Sequence, residues 1–230
     1  MNLKPVEKVL FLDIETVPQY ETYATAPEEL QKLFSQRYEE DIAETGSVED
    51  VWNEKASLQP EFGKVVCVSV GMIHNGNLFK KSFTSIDEVD LLDKFVNGKL
   101  AERLNDVSGG TVFCAYSGET FDFPFLAKRL IINGLMVPKF LFYTDKKPWE
   151  RNFLVDLKNI WKWEVYNATI SLKLLGYSLG VGSGDEINGS MIKDIYYNEH
   201  DLKKISAHCE NDIDLLHNSY IKLFANFANA

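Results

Sequence analysis

Val9-Leu10-Phe11-Leu12-Asp13-Ile14-Glu15-Thr16 is the stretch whose reading decides the rest of the chain. Four consecutive bulky or β-branched apolar residues predict a strand buried on both faces. Side chains alternate along a strand, so Asp13 and Glu15 project to the same side, one strand repeat apart. Two carboxylates at the end of a buried strand repel each other and lose hydration. A divalent metal is the counter-charge that would keep both ionised. The simpler reading is that the strand ends here and both acids reach water.

The 230 residues suit one large domain or two small ones, and the apolar and charged fractions are those of a soluble globular protein. The longest apolar run, Val65 to Ile73, is broken by serine and glycine and is too short to span a membrane. The opening Met1-Asn2-Leu3-Lys4-Pro5 lacks a signal-peptide core. Cys67, Cys114 and Cys209 are odd in number and widely spaced, and two sit in apolar strand patterns. They read as reduced core residues of a cytoplasmic protein, with neither zinc spacing nor a disulfide framework.

Net charge is −10, which taken alone argues against a nucleic-acid partner. Residues 123–175, however, carry nine basic side chains against four acids, so this segment is +5 and the remainder −15. Such a segment can accept phosphates, although chance clustering on a solvated surface explains the charge equally well.

Residues 19–60 are polar and acidic, with helical patterns in Glu28 to Ile42 and around Val48 to Ala56. They predict an insertion that caps a sheet edge or lies over a cleft. A second buried strand is predicted at 64–73, followed by hairpin residues His74-Asn75-Gly76-Asn77 and a partner strand at 78–84. Helical periodicity runs through 86–105, with Ser85 or Asp87 as start signals. A short strand from Thr111 to Tyr116 turns at Ser117-Gly118 into a helix from about Phe121 to Asn133. Further on come a strand-like Lys139–Tyr143, a basic loop through Lys147-Pro148-Trp149, and helices at about 155–163 and 169–179. The glycine-rich loop Gly180 to Gly184 follows a helix, not a strand, so a phosphate-binding loop is a weak reading. Helices at about 188–198 and 201–227 close the chain. This is a mixed α/β order of elements, for which the expectation is an α/β fold with a mixed five-stranded sheet flanked by helices.

Two further acids stand out. Asp122 lies between aromatic residues after a strand, where it is either a site residue or a helix cap preceding Pro124. Asp212 occupies a position in the apolar stripe of the last helix formed by Ile205, Cys209, Leu216, Tyr220 and Leu223. Asp214 lies roughly 200° around that helix and faces away. His208 stands one turn before Asp212 on the same side, which is either a site or a satisfied His–Asp pair in the core. Four carboxylates so arranged can bind two Mg²⁺ ions about 3.5–4 Å apart, the clamp used in phosphoryl transfer.

With these residues in view, the sequence resembles the DEDD superfamily of 3′-to-5′ exonucleases, on a ribonuclease H-like fold. It is most similar to the proofreading exonuclease domain of family-B DNA polymerases and to free-standing bacterial proteins related to that domain. The resemblance spans Val9 to about Leu223, with 19–60 the least similar part. FLDIET resembles the first motif, SGETFDFPFLAKR the second and HCENDIDLL the third; FLVDLKNI and ISLKLLGYSLGV resemble the linking segment. The resemblance implies one ribonuclease H-like domain over 1–230 that removes nucleoside monophosphates from the 3′ end of single-stranded DNA, or of RNA. It also implies Asp13, Glu15, Asp122 and Asp212 as ligands of two Mg²⁺ or Mn²⁺ ions. Ser117 stands where the family commonly has Asn, and His208 takes the spacing at which this branch has Tyr. His208 is expected to orient or deprotonate the attacking water, and its departure from the pattern leaves a weakly active binding module as the alternative. Thr16, Ser117, Phe121, Lys128, Arg129 and Arg151 are the candidates for substrate contact. Phe123 and Phe125 are also candidates, unless their spacing of two only packs the core.

Overall fold

The computed structural model describes residues 4–165 and 170–227. The opening residues 1–3 and the expected helix start at residue 169 lie outside this range. A five-stranded mixed sheet has the order β3-β2-β1-β4-β5, with β1 (Val9–Pro18) at its centre. β2 (Gly63–His74) runs antiparallel to β1, and β3 (Asn77–Thr84) antiparallel to β2. β4 (Val112–Ala115) is parallel to β1, and β5 (Leu154–Asp156) is parallel to β4. Helices cover both faces. Leu10, Leu12 and Ile14 of β1 face the core beneath α4 (Glu88–Asn97) and α6 (Asp122–Ile132). Val9 and Phe11 face the core beneath α8 (Leu172–Leu179) and α10 (Leu202–Phe227). Alternation therefore directs Asp13 and Glu15 to the α10 side.

Both acids lie inside β1 rather than at its end. The strand continues to Pro18 and pairs Asp13 with Ser69 and Glu15 with Cys67, before a bulge between Glu15 and Thr16. The ladder to β4 is shorter and covers only Val9 to Phe11. β1 thus outruns β4, and the stretch carrying the acids has an open edge on that side.

The segment between β1 and β2 folds as α1 (Glu28–Arg37), α2 (Glu39–Thr45) and α3 (Val48–Lys55), as its periodicity predicts. It packs its own aromatic cluster of Phe34, Tyr38, Trp52 and Phe62, with Phe34 and Trp52 rings 4.8 Å apart. Thr16 Oγ1 donates to the Ser57 carbonyl at 2.8 Å, which fastens this segment beside the bulge. α5 (Ala101–Leu104) follows α4, whose N-cap is Asp87.

The fifth strand is not where the sequence places it. Lys139–Leu141 is a 3-10 turn that buries Phe140 and Leu141 together and leaves Phe142 exposed, so the strand alternation is absent. Phe140 stacks on Phe113 of β4 at 4.2 Å, which holds the turn against the sheet. The edge strand is Leu154–Asp156, read from sequence as the start of a helix, because three residues are too few to set a period. Its last residue, Asp156, caps α7 (Leu157–Lys162) by accepting from Lys158 N. The helix expected at 188–198 is α9 (Gly189–Asp194) followed by a π-helical turn at Ile195–Glu199.

α10 crosses β2 where the strand carries Gly71. A Cβ at that position would collide with Ile213 Cγ2, and Ile213 is the neighbour of Asp212. The bare backbone sets how closely the helix approaches the sheet. Gly71→Ala is expected to lower unfolding stability by about 1–3 kcal/mol, the usual cost of an overpacked core, measured by denaturant titration. An unchanged midpoint would mean that α10 has slack at this crossing.

Candidate active site

Three elements supply the site. Asp13 and Glu15 come from β1, Asp122 from the first turn of α6, and Asp212 and His208 from α10. Asp122 is the first helical residue, with Phe121 as the N-cap position, so its side chain is not used as a cap. Its Oδ1 instead accepts the Ile14 N–H at 3.2 Å, on the stretch of β1 beyond the β4 ladder. This bond ties the second acidic segment to the first. Asp13 Oδ2 accepts from the Cys209 thiol at 3.1 Å, which ties β1 to α10.

The loop that delivers Asp122 is held by a residue the sequence reading passed over. Asp156 Oδ1 accepts from Ser117 N at 3.0 Å, and its Oδ2 from Glu119 N at 3.2 Å. Ser117 itself sits in the left-handed region at φ 64°. Parallel pairing places Asp156 opposite Ala115, just before that turn, so only the true position of β5 makes the contact intelligible.

His208 is 3% exposed, and both its nitrogens face carboxylates. Nδ1 lies 2.9 and 3.0 Å from the two oxygens of Asp185. Nε2 is 3.3 Å from Glu15 Oε1 and 4.0 Å from Asp212 Oδ2. Asp185 is a second residue missed in the sequence. It follows the glycine-rich loop directly, but a pairing across 23 positions has no local signal. Asn211 Nδ2 also donates to Asp185, and Asp185 caps its own turn by accepting from Ile187 N. Burial works to raise the Asp185 pKa, but the Asn211, His208 and Ile187 contacts outweigh it and hold the carboxyl below its ordinary range.

The four central acids all titrate above their ordinary values, with burial the largest cause at each. At Asp13 the charges of Glu15, Asp122 and Asp212 add to it. Asp122 is pushed up to about 7 even though backbone hydrogen bonds pull the other way. Asp212 Oδ1 is buried without a hydrogen-bond partner among the described residues. A hard divalent cation fits this donor set, which is rich in carboxylate oxygens and includes one oxygen left over. Ligand atoms of Glu15, His208 and Asp212 lie within 4.8 Å of one another, as do those of Asp13, Glu15 and Cys209.

The candidates for substrate contact divide. Arg129 is corrected: it is buried and ion-paired with Glu88, and also donates to the Pro60 carbonyl at 2.8 Å. Glu88 in turn accepts from Val65 N at 2.7 Å, so the pair pins α6 and α4 to β2 and serves the fold. Phe123 and Phe125 are buried in the core and are likewise removed as stacking surfaces. Phe121 is partly buried, with its ring 5.4 Å from that of Phe125. Lys128 is exposed beside Glu61, and Arg151 lies over the Tyr143 ring at 5.4 Å. Asp214 pairs with Lys80 of β3 at 2.6 Å, away from the four acids.

A family model described as RNase_H superfamily matches residues 53–223, and the chain belongs to that superfamily. A solved structure of the family B DNA polymerase from the hyperthermophilic archaeon Pyrobaculum calidifontis shares the fold, with a TM-score of 0.54 and 16% identity. The match covers 96% of this chain and 24% of the polymerase, so this chain corresponds to about a quarter of that protein's length. No curated protein matches the chain in sequence. The family match begins after β1, so the placement of Asp13 and Glu15 rests on the geometry above.

The raised pKa values fix a sign for the metal-free protein. An acid whose folded pKa lies above its unfolded value contributes stability at low pH and loses it as pH rises through the folded pKa. For Asp122 that window runs from its ordinary range near 4 up to about 7. In EDTA, Asp13→Asn is expected to raise Tm at pH 8, by about 2–4 °C per kcal/mol of relieved repulsion, and to gain much less at pH 5. A lower Tm for this variant at pH 8 would contradict the mutual repulsion.

Proposed function

We propose that this chain is a metal-dependent 3′-to-5′ exonuclease that shortens single-stranded DNA and releases nucleoside monophosphates. The observation carrying this reading is the convergence of Asp13, Glu15, Asp122 and Asp212 from three elements, with burial disfavouring the ionised form of each. The ribonuclease H-like fold supports a nuclease. The order of the acidic motifs along the chain supports the exonuclease branch.

Asp13, Glu15, Asp122 and Asp212 would hold Mg²⁺ or Mn²⁺. When bound, such ions would supply charge to offset the phosphodiester and would lower the pKa of a water beside it. The protein's own part is positioning. The Ile14–Asp122 and Cys209–Asp13 bonds hold carboxylates of three elements in register before substrate arrives. Ser117, held by Asp156, and Phe121 flank the delivery loop and are proposed to meet the terminal nucleotide. The loop before β5 offers Trp149, 72% exposed, with the Lys147 ammonium 5.2 Å from its ring, while Lys146 and Arg151 lie over the Phe153 and Tyr143 rings of the same stretch. Exposed aromatic rings and lysines together suit single strands, on which bases stack and phosphates need counter-charge.

Purified protein with Mg²⁺ or Mn²⁺ should convert 5′-labelled single-stranded DNA into a ladder shortened from the 3′ end, and EDTA should abolish it. Internal cleavage, or equal cleavage of a 3′-blocked strand, would overturn the exonuclease reading. A parallel lane of RNA decides between the two sugars.

The helix-face assignment makes a second expectation. Asp212→Ala should reduce turnover to background, whereas Asp214→Ala should stay near the parent rate, because its carboxylate engages Lys80 on the sheet. The opposite ranking in single-turnover assays would exclude Asp212 from the centre.

A further inference from the structure

Resting on the metal-dependent reading above, we propose that His208 is itself a metal ligand. Its Nε2, with Glu15 and Asp212, builds a mixed nitrogen–oxygen site that favours a transition-metal ion such as Mn²⁺ over Mg²⁺. Asp185 is the positioning residue that aims the ring. Three observations carry this.

The first is direction. Asp185 takes the Nδ1 side with both oxygens at 2.9 and 3.0 Å, so a neutral ring carries its proton there and presents the Nε2 lone pair to Glu15 and Asp212. A carboxylate on the far nitrogen is the usual support of a metal-binding imidazole, fixing its tautomer and raising its basicity. Asn211 and Ile187 N fix Asp185, and Lys173 lies 3.5 Å from it, so the ring is aimed by a constructed network.

The second is spacing. Metal–ligand bonds of about 2.0–2.2 Å leave neighbouring ligand atoms roughly 3–3.5 Å apart. Nε2 and Glu15 Oε1, 3.3 Å apart, match that spacing, whereas Asp212 Oδ2 at 4.0 Å from Nε2 is wider and would have to close on the ion.

The third is seclusion. At 3% exposure the His208 ring is buried between Glu15, Asp185 and Asp212, so what it meets is these carboxylates. Replacing an oxygen donor with imidazole matters for selection. Mg²⁺ prefers oxygen and holds its water tightly, whereas imidazole is taken more readily by the first-row transition metals, of which Mn²⁺ is the weakest binder. The competing role for the same ring is a protonated counter-ion to the acids, which would exclude metal from Nε2.

The test is pulsed electron paramagnetic resonance on the full chain loaded with Mn²⁺, paired with calorimetric titration of Mn²⁺ and of Mg²⁺. Nitrogen-14 modulation of the Mn²⁺ signal is expected, and it should vanish in His208→Gln while Mn²⁺ still binds. His208→Gln and Asp185→Asn should each weaken Mn²⁺ binding by about 10–100-fold, with a much smaller change for Mg²⁺. Mn²⁺ bound with no nitrogen coupling overturns this inference and leaves the exonuclease reading standing. Coupling that persists in His208→Gln overturns it equally. Failure of the parent protein to bind either ion overturns both. The parent spectrum decides the matter even if a variant fails to fold.

Discussion

Mutual repulsion among buried carboxylates is the constraint to which the rest of the molecule answers. Asp13 and Glu15 share one face of the central strand, and Asp122 and Asp212 are brought against them from helices on opposite faces of the sheet. Each acid is largely removed from water, and the charges of Glu15, Asp122 and Asp212 raise the cost of ionising Asp13, as those of Asp212 and Asp122 do for Glu15. A chain selected for stability alone would fill this space with apolar side chains, since burying like charges has no folding benefit. Keeping the acids together makes sense for a protein that binds a cation there.

The fold meets this constraint with few contacts. Because β1 extends beyond its ladder with β4, Ile14 retains a free N–H for Asp122. Gly71 lets α10 settle closely on β2, which brings Cys209 to Asp13 and His208 to Glu15. Asp156, at the end of the edge strand, holds the turn from which Asp122 departs. On the other side of α6, the buried Arg129–Glu88 pair fixes the helix that carries Asp122, and removing one partner of such a pair costs about 3–5 kcal/mol. Positioning of the acids is therefore spread through both helical layers.

Much of this is legible in the sequence, for physical reasons that differ by element. β1, β2 and the hairpin announce themselves through apolar runs and turn residues, and Asp212 through its intrusion into an apolar helical stripe. The helices of 19–60 are visible as periodicity even though their aromatic cluster is separate from the sheet's cores. β5 is invisible because three residues carry no period, and its loss hides the role of Asp156. Asp185 is invisible because its meaning depends on a partner 23 residues away on another element. Arg129 misleads because basic composition is the same whether an arginine reaches phosphate or is buried against glutamate.

The central claim, that the four acids form a divalent-cation centre, is most directly tested by anomalous scattering from crystals soaked in Mn²⁺. Peaks lying among Asp13, Glu15, Asp122 and Asp212, and absent after EDTA treatment, are the predicted result. A map with no peak among these residues, or with peaks only at surface carboxylates, would contradict it.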